Sequence, residues 1–112
     1  MAVKGRLLCS SDPTKANKVK VKLYDEDHGS PDDLLDEGET DSRGRFNLRG
    51  ETREVTNIDS RLHIYHDCND EQVCQRHWKL RIPDKYINSE VYDLGSVNLD
   101  TVLPDETRKC FE

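Results

Sequence analysis

The stretch Val19-Lys20-Val21-Lys22-Leu23-Tyr24 alternates between apolar residues and lysine before it ends in a tyrosine. Successive side chains of a β-strand point to opposite faces, so this spacing predicts a strand with one buried face. The valines and the leucine would face the core, and the lysines would face solvent. The same period of two recurs along the chain, and no stretch of about ten residues keeps the apolar stripe of a helix. The sequence therefore predicts an all-β protein.

Other segments with this alternation predict a seven-stranded β-sandwich that forms a single domain over residues 1–112. In the last of these strands the apolar positions change parity between Leu94 and Val97, which predicts a β-bulge at Gly95-Ser96. The remaining inward positions are Val3, Leu7 and Cys9, then Phe46 and Leu48, then Leu62, Ile64 and His66, then Trp78, Leu80 and Ile82, and finally Tyr92 and Leu99.

The chain has four cysteines among 112 residues and no CxxC pair. This pattern is typical of a two-disulfide framework in a secreted protein, because thiols stay reduced in the cytosol. Four cysteines allow three pairings, and we favour Cys68 with Cys74 and Cys9 with Cys110. No charged leader followed by an apolar segment opens the sequence, so we expect that Met1 replaces a removed signal peptide.

The formal net charge is −6 and the isoelectric point is near 5.2. An acidic protein is not generally attracted to nucleic acid or to an anionic membrane, so we expect no nucleic-acid partner, and membrane binding would need a local basic patch. The strongest charge asymmetry lies in residues 25–41, which hold nine acidic side chains and no Lys or Arg. We interpret this segment as a solvated loop.

Several motifs resemble the nematode transthyretin-like family in order and spacing. They are Val-Lys-Val-Lys-Leu-Tyr-Asp-Glu-Asp at 19–27, Asp-Asp-Leu-Leu at 32–35, Thr-Asp-Ser-Arg-Gly-Arg-Phe at 40–46, Ile-Tyr-His-Asp-Cys-Asn-Asp at 64–70, Cys-Gln-Arg at 74–76 and Ile-Pro-Asp-Lys-Tyr-Ile at 82–87. The resemblance implies a prealbumin-type β-sandwich and secretion.

This resemblance also implies a function. The family includes an extracellular protein that binds phosphatidylserine on dying cells and bridges them to a phagocyte receptor, and we expect this chain to be similar. The alternative is a secreted module that binds a small ligand or a protein and has no membrane affinity. A related hydrolase ends in Tyr-Arg-Gly-Ser, whereas this chain ends in Arg-Lys-Cys-Phe-Glu, and no nucleophile elbow is present. We therefore expect that the protein is not an enzyme.

A lipid-binding site is predicted on one sheet face. If the strands follow prealbumin order, three neighbouring strands present outward cations with aromatic edges, and each cation near an anionic leaflet contributes about 1 kcal/mol. The predicted residues are Lys20, Lys22, His63, Tyr65, Lys79 and Arg81. A second candidate patch contains Lys15, Lys18, Arg43 and Arg76. Outward Lys and Arg residues also serve simply to keep a sheet soluble, and this alternative stays open.

Metal binding is the remaining possibility, and we expect neither a metal nor a cofactor. Asp25, Asp27, Asp32 and Asp33 would suit Ca²⁺, but the segment lacks the glycine and the final glutamate of an EF-hand loop. The same acids would instead dock a basic surface of a receptor. Zinc at His63, His66, Cys68, Cys74 and His77 is disfavoured because oxidised cysteines are not ligands. Exposed edge strands would allow a homodimer.

Overall fold

The computed structural model describes residues 1–26, 32–50, 59–70, 72–86 and 91–110. Eight β-strands lie within these ranges: β1 (Ala2–Leu8), β2 (Lys20–Asp25), β3 (Asp33–Glu39), β4 (Arg45–Arg49), β5 (Ser60–His66), β6 (Gln75–Arg81), β7 (Val91–Asn98) and β8 (Glu106–Lys109). They form a three-stranded sheet in the order β4-β1-β7 and a five-stranded sheet in the order β3-β2-β5-β6-β8. The all-β sandwich is confirmed, with eight strands where the sequence predicted seven.

The three-stranded sheet is built around β1, which pairs with β4 antiparallel and with β7 parallel. Lys4 lies opposite Asp93 and Arg6 lies opposite Ser96, so β7 contains one residue more than β1 over this stretch. Gly95 has a φ of 77°, a backbone conformation that costs glycine little. The predicted bulge is therefore confirmed.

The acidic segment does not form only a solvated loop, because β3 lies within it and pairs with β2. Glu37 and Glu39 are exposed, while Leu35 packs against the core. A Cβ added at Gly38 would lie 3.3 Å from Leu48 of the other sheet. The expectation of a loop was wrong because an edge strand needs few apolar residues.

The core fills the space between the two sheets. Val21, Leu23, Leu62 and Ile64 from the centre of the five-stranded sheet are fully buried, as the alternation predicted. Opposite them lie Val3, Leu7, Phe46 and Leu48 of the three-stranded sheet. Among the described residues there is no helix that is both long and apolar enough to cross a membrane.

All four cysteines form disulfides, as predicted, but the favoured pairing is wrong. Cys9 bonds Cys68, with a Cα–Cα distance of 5.8 Å, and Cys74 bonds Cys110, with a Cα–Cα distance of 4.3 Å. Cys9 follows β1 and Cys68 follows β5, so their bond joins the two sheets. Cys74 precedes β6 and Cys110 follows β8, and antiparallel pairing of these strands brings the two cysteines opposite each other.

Candidate functional site

The six residues predicted to bind lipid lie on the outer face of β2, β5 and β6, here called the histidine face. Lys20 is opposite Tyr65, and Lys22 is opposite His63, which in turn is opposite Lys79. Arg81 lies further along β6. The strand order thus brings the six positions together.

Three of these side chains are nevertheless largely withdrawn from solvent. Lys22 and His63 are each 9% exposed, and Tyr65 is 4% exposed. The Lys22 ammonium lies 5.5 Å from the centre of the Tyr65 ring, and that ring stacks on His77 at 4.3 Å. Lys22 was expected to face solvent, and that expectation was wrong because its side chain packs over the Tyr65 ring.

His63 does not add a positive charge to this face near neutral pH. Burial lowers the pKa of His63 to about 4, and the nearby charges of His77 and Lys79 act in the same direction. His63 Nδ1 and His77 Nε2 lie 3.1 Å apart, within hydrogen-bonding distance. His63 is therefore neutral near neutral pH and packs against His77.

Carboxylates offset the remaining cations of the histidine face. Arg81 forms ion pairs with Asp84 at 2.9 Å and with Asp59 at 3.5 Å. Across β2 and β3, Lys20 is opposite Glu39 and Lys22 is opposite Glu37. Lys79 remains exposed and forms no ion pair with another described residue, so it is the main cation that this face offers to an anion.

Arg76 is not part of the second predicted surface patch, because it is buried and only 5% exposed. Its guanidinium pairs with Glu106 and donates hydrogen bonds to the carbonyl oxygens of Cys68 (2.7 Å) and Thr101 (2.8 Å). Burial alone would raise the pKa of Glu106, but hydrogen bonds from Arg76 and from the Leu103 amide lower it overall. Arg76 is an internal ion-pair partner, whereas Lys15, Lys18 and Arg43 are exposed.

A cationic surface that the sequence analysis missed lies on the outer face of the three-stranded sheet. Lys4 and Arg6 of β1 and Arg45 and Arg49 of β4 point outward, because the residues between them point into the core. All four are exposed, and we call this surface the arginine face. The turn before β4 adds Arg43, whose carbonyl oxygen accepts a hydrogen bond from Arg6 Nε at 2.9 Å.

None of the four arginine-face cations forms an ion pair with another described residue. Arg6 and Arg45 are direct neighbours across β1 and β4. The spacings Lys4-x-Arg6 and Arg45-x-x-x-Arg49 place cations on one face of each strand, and this was the signal available in the sequence.

An open cavity of about 580 Å³ lies on the arginine face. Its lining includes Lys4, Arg6, Arg45, Asn47, Asp93 and Ser96. Asp93 Oδ1 accepts a hydrogen bond from the Gly95 amide at 2.9 Å, which holds the carboxylate at the bulge. Glu39 and Asp41 also border the cavity, and Asp41 Oδ1 accepts hydrogen bonds from the amides of Arg43 and Arg45.

A sequence profile of the transthyretin-like family matches residues 4–83. The chain belongs to the transthyretin-like family. Transthyretin-like protein 5 of Caenorhabditis elegans is 45% identical to it over 115 residues, which cover 96% of this chain and 81% of that protein.

Solved structures share the transthyretin-like sandwich. The 9R-lipoxygenase of Cyanothece PCC8801 matches with a TM-score of 0.60 and 22% identity, over 88% of this chain and 16% of the lipoxygenase. An (S)-allantoin synthase matches with a TM-score of 0.52 and 15% identity, over 95% of this chain and 42% of the synthase. At such identities the likeness concerns the fold alone.

Possible metal ligands in this transthyretin-like protein are limited. Within the described ranges, one group of three ligand-type side chains has its ligand atoms within 4.8 Å, namely Cys9, Cys68 and Asp100. The two sulfurs are bonded to each other, so neither is a thiolate. Hydrogen bonds from Ser10 and Ser11 lower the pKa of Asp100 to about 2, so this carboxylate already has partners.

Of the two metal sites weighed from the sequence, the zinc set is not brought together, and the calcium set includes Asp27, which lies outside the described residues. His66 is 1% exposed and points inward, whereas His63 belongs to the outer histidine face. Cys68 and Cys74 are in different disulfides. In the acidic segment, Asp25 Oδ1 accepts a hydrogen bond from the Asp59 amide.

Proposed function

We propose that this transthyretin-like protein is a secreted bridging protein that binds phosphatidylserine exposed on apoptotic cells and links them to a phagocyte receptor for engulfment. The observation that supports lipid binding is the arginine face, which carries four exposed cations without ion pairs in a protein of net charge −6. Each cation near an anionic leaflet contributes about 1 kcal/mol. Four together contribute about 4 kcal/mol, which is a weak and reversible attraction.

A bridging protein also needs a second surface that faces away from the membrane. The acidic edge strand β3, with Asp33 and Glu37 exposed, belongs to the other sheet. Charge complementarity with a basic receptor would chiefly raise the association rate. We assign receptor contact to this edge and membrane contact to the arginine face.

The six residues of the histidine face remain a lesser candidate for lipid contact. Lys79 and Arg81 are exposed, but Arg81 is shared between two carboxylates, and Lys22 is covered. We expect the arginine face to dominate because all four of its cations are exposed and none forms an ion pair with another described residue. We further propose that the protein acts by binding and not by catalysis, since its cysteines are oxidised and no nucleophile elbow occurs in its sequence.

Co-sedimentation with vesicles tests this proposal. The oxidised protein should bind phosphatidylserine vesicles more strongly than phosphatidylcholine vesicles, in chelator as well as in Ca²⁺, and binding should weaken as salt screens the charges. Arg6→Glu with Arg45→Glu should abolish binding. The matched pair Lys79→Glu with Arg81→Glu changes the charge equally and should reduce binding much less.

Two results would contradict the assignment. Equal losses from the two charge-reversal pairs would remove the preference for the arginine face. No selective binding of the unaltered protein under any condition would leave the alternative, a secreted module that binds a small ligand or a protein without membrane affinity.

A further inference from the structure

The arginine face carries a carboxylate as well as cations, and their arrangement suggests a specific ligand. Asp93 is exposed on β7, directly opposite Lys4 of β1. It forms no ion pair with another described residue, and Gly95 donates to one of its two carboxylate oxygens. Asp93 lines the cavity, and its second oxygen has no hydrogen-bond or ion-pair partner among the described residues.

Cations and carboxylate follow one another across the sheet. Arg45 lies on β4, Arg6 next to it on β1, and Asp93 on β7 at the far side. Asp93 is opposite Lys4, two residues along β1 from Arg6. Neighbouring strands are about 4.8 Å apart and a strand rises about 3.3 Å per residue, so Arg45 and Asp93 are about 12 Å apart. A ligand of this size that carries two negative groups and one positive group would meet opposite charges along its length.

We infer that the cavity of the arginine face binds the phosphoserine head group of phosphatidylserine, with Arg6 and Arg45 on the phosphate, Lys4 on the carboxylate and Asp93 on the ammonium. This inference rests on the proposed function and adds head-group selectivity to it. Guanidinium groups suit phosphate because they donate parallel hydrogen bonds to two oxygens. The carboxylate of Asp93 then distinguishes serine lipids from anionic lipids that lack an ammonium.

The other carboxylates at the cavity do not replace Asp93. Asp41 lies beside the cations themselves, where its Oδ1 accepts hydrogen bonds from the amides of Arg43 and Arg45, and Glu39 lies opposite Lys20 on the second sheet. Both border the cavity on the β4 side, whereas Asp93 lies beyond β1 on the β7 side. A peptide phosphoserine within a chain has no free ammonium, so it would gain nothing from Asp93.

The variant Asp93→Asn tests this inference, because it should strengthen binding to one anionic lipid and weaken binding to another. Asparagine still accepts the Gly95 hydrogen bond, so the bulge is retained, but it loses the negative charge. Removing a carboxylate from a cationic face should raise binding to phosphatidylglycerol vesicles several-fold, because general attraction to an anionic surface increases. Binding to phosphatidylserine vesicles of equal charge density should instead fall several-fold, because the ammonium loses its partner.

A matched control is Asp105→Asn, which changes the net charge equally. Asp105 is exposed, follows β7 at a position remote from the arginine-face cavity, and has a φ of 60° that asparagine tolerates. It should leave the preference between the two lipids unchanged. Soluble glycerophosphoserine should displace the unaltered protein from phosphatidylserine vesicles, and glycerophosphoglycerol should not, which separates head-group recognition from attraction to a bilayer.

The outcomes separate this inference from the proposed function. If Asp93→Asn raises binding to both lipids equally, or if glycerophosphoserine fails to compete, the head-group site is overturned while anionic-lipid binding stands. If the unaltered protein binds neither kind of vesicle, the proposed function itself fails.

Discussion

At the scale of single residues, His66 shows how burial determines the protonation state of a side chain. It ends β5, is 1% exposed, and accepts a hydrogen bond from the Cys68 amide at Nδ1 over 3.0 Å. Burial lowers the pKa of His66 to about 4, and the charge of Arg76 acts in the same direction. The folded protein therefore holds His66 neutral at pH values where the unfolded chain protonates it.

We predict that stability falls between pH 6.5 and pH 4. The unfolded state binds the extra proton in that window, so the stabilisation is complete above pH 6.5 and is lost as the pH falls, by at most about 3 kcal/mol for His66. Urea unfolding at several pH values measures this loss. His66→Asn keeps an acceptor for Cys68 without titrating, and an equally steep pH dependence in that variant would assign the effect to other groups.

The direction of most strand side chains was predictable from the sequence, but their environment was not. Parity alone put Lys22 and His63 outward, and the structure agrees. Their burial depends on contacts with Tyr65 and His77. These contacts join different strands of the sheet, so no local sequence pattern reveals the burial. Arg76 finds its partner Glu106 thirty residues away, and such an ion pair is likewise invisible locally.

At the scale of elements, two glycines with nearly identical backbone angles mark the turn before β4 and the bulge of β7. Gly44 has a φ of 76° and Gly95 a φ of 77°. A Cβ added to Gly44 would lie 2.1 Å from the Leu7 carbonyl oxygen, whereas a Cβ on Gly95 would meet nothing within 4 Å. Both positions strain an L side chain, but only one also collides with the backbone.

We predict that Gly95→Ala lowers the free energy of unfolding by about 1 kcal/mol, the cost of a left-handed backbone angle alone. Gly44→Ala should cost several times as much, because β1 or the turn must move. Chemical denaturation of the two variants measures the difference. Equal losses would mean that the close approach of Gly44 to Leu7 contributes nothing.

Strands with a regular apolar face were predicted, and β3 and β8 were missed. β8, with the sequence Glu106-Thr107-Arg108-Lys109, has no apolar residue, and β3 is mostly acidic. Both lie at edges of the five-stranded sheet and are held by backbone pairing with β2 and β6. Pairing of this kind leaves little signal in side-chain periodicity.

At the scale of the whole molecule, the two disulfides stabilise different parts of the sandwich. The Cys9–Cys68 bond crosses between the sheets over a separation of 59 residues, while Cys74–Cys110 ties neighbouring strands of one sheet over 36 residues. This pairing was not predictable because it depends on which strand ends meet in space. The exposed cations of the arginine face were likewise not predicted, since the net charge of a face depends on the ion-pair partners across it.

We predict that replacing Cys9 and Cys68 together by alanine lowers the free energy of unfolding by about 4 kcal/mol from chain entropy. Replacing Cys74 and Cys110 has a similar entropic cost but should destabilise less in total, because Cys110 is exposed while Cys68 is fully buried. Urea unfolding compares the two. Non-reducing peptide mapping should recover Cys9 linked to Cys68, and a Cys68–Cys74 peptide would contradict the structure.

The bond between Cys9 and Cys68 would carry mechanical load if the two sheets hold different partners. With a cell corpse attached to the three-stranded sheet and a phagocyte to the other, the pull of engulfment acts across the interior of the sandwich. Dispersion contacts between two layers slip under sustained load, whereas a covalent crosslink transmits tension. Reduction of that bond would then weaken the tether under force even where the protein at rest still binds both partners.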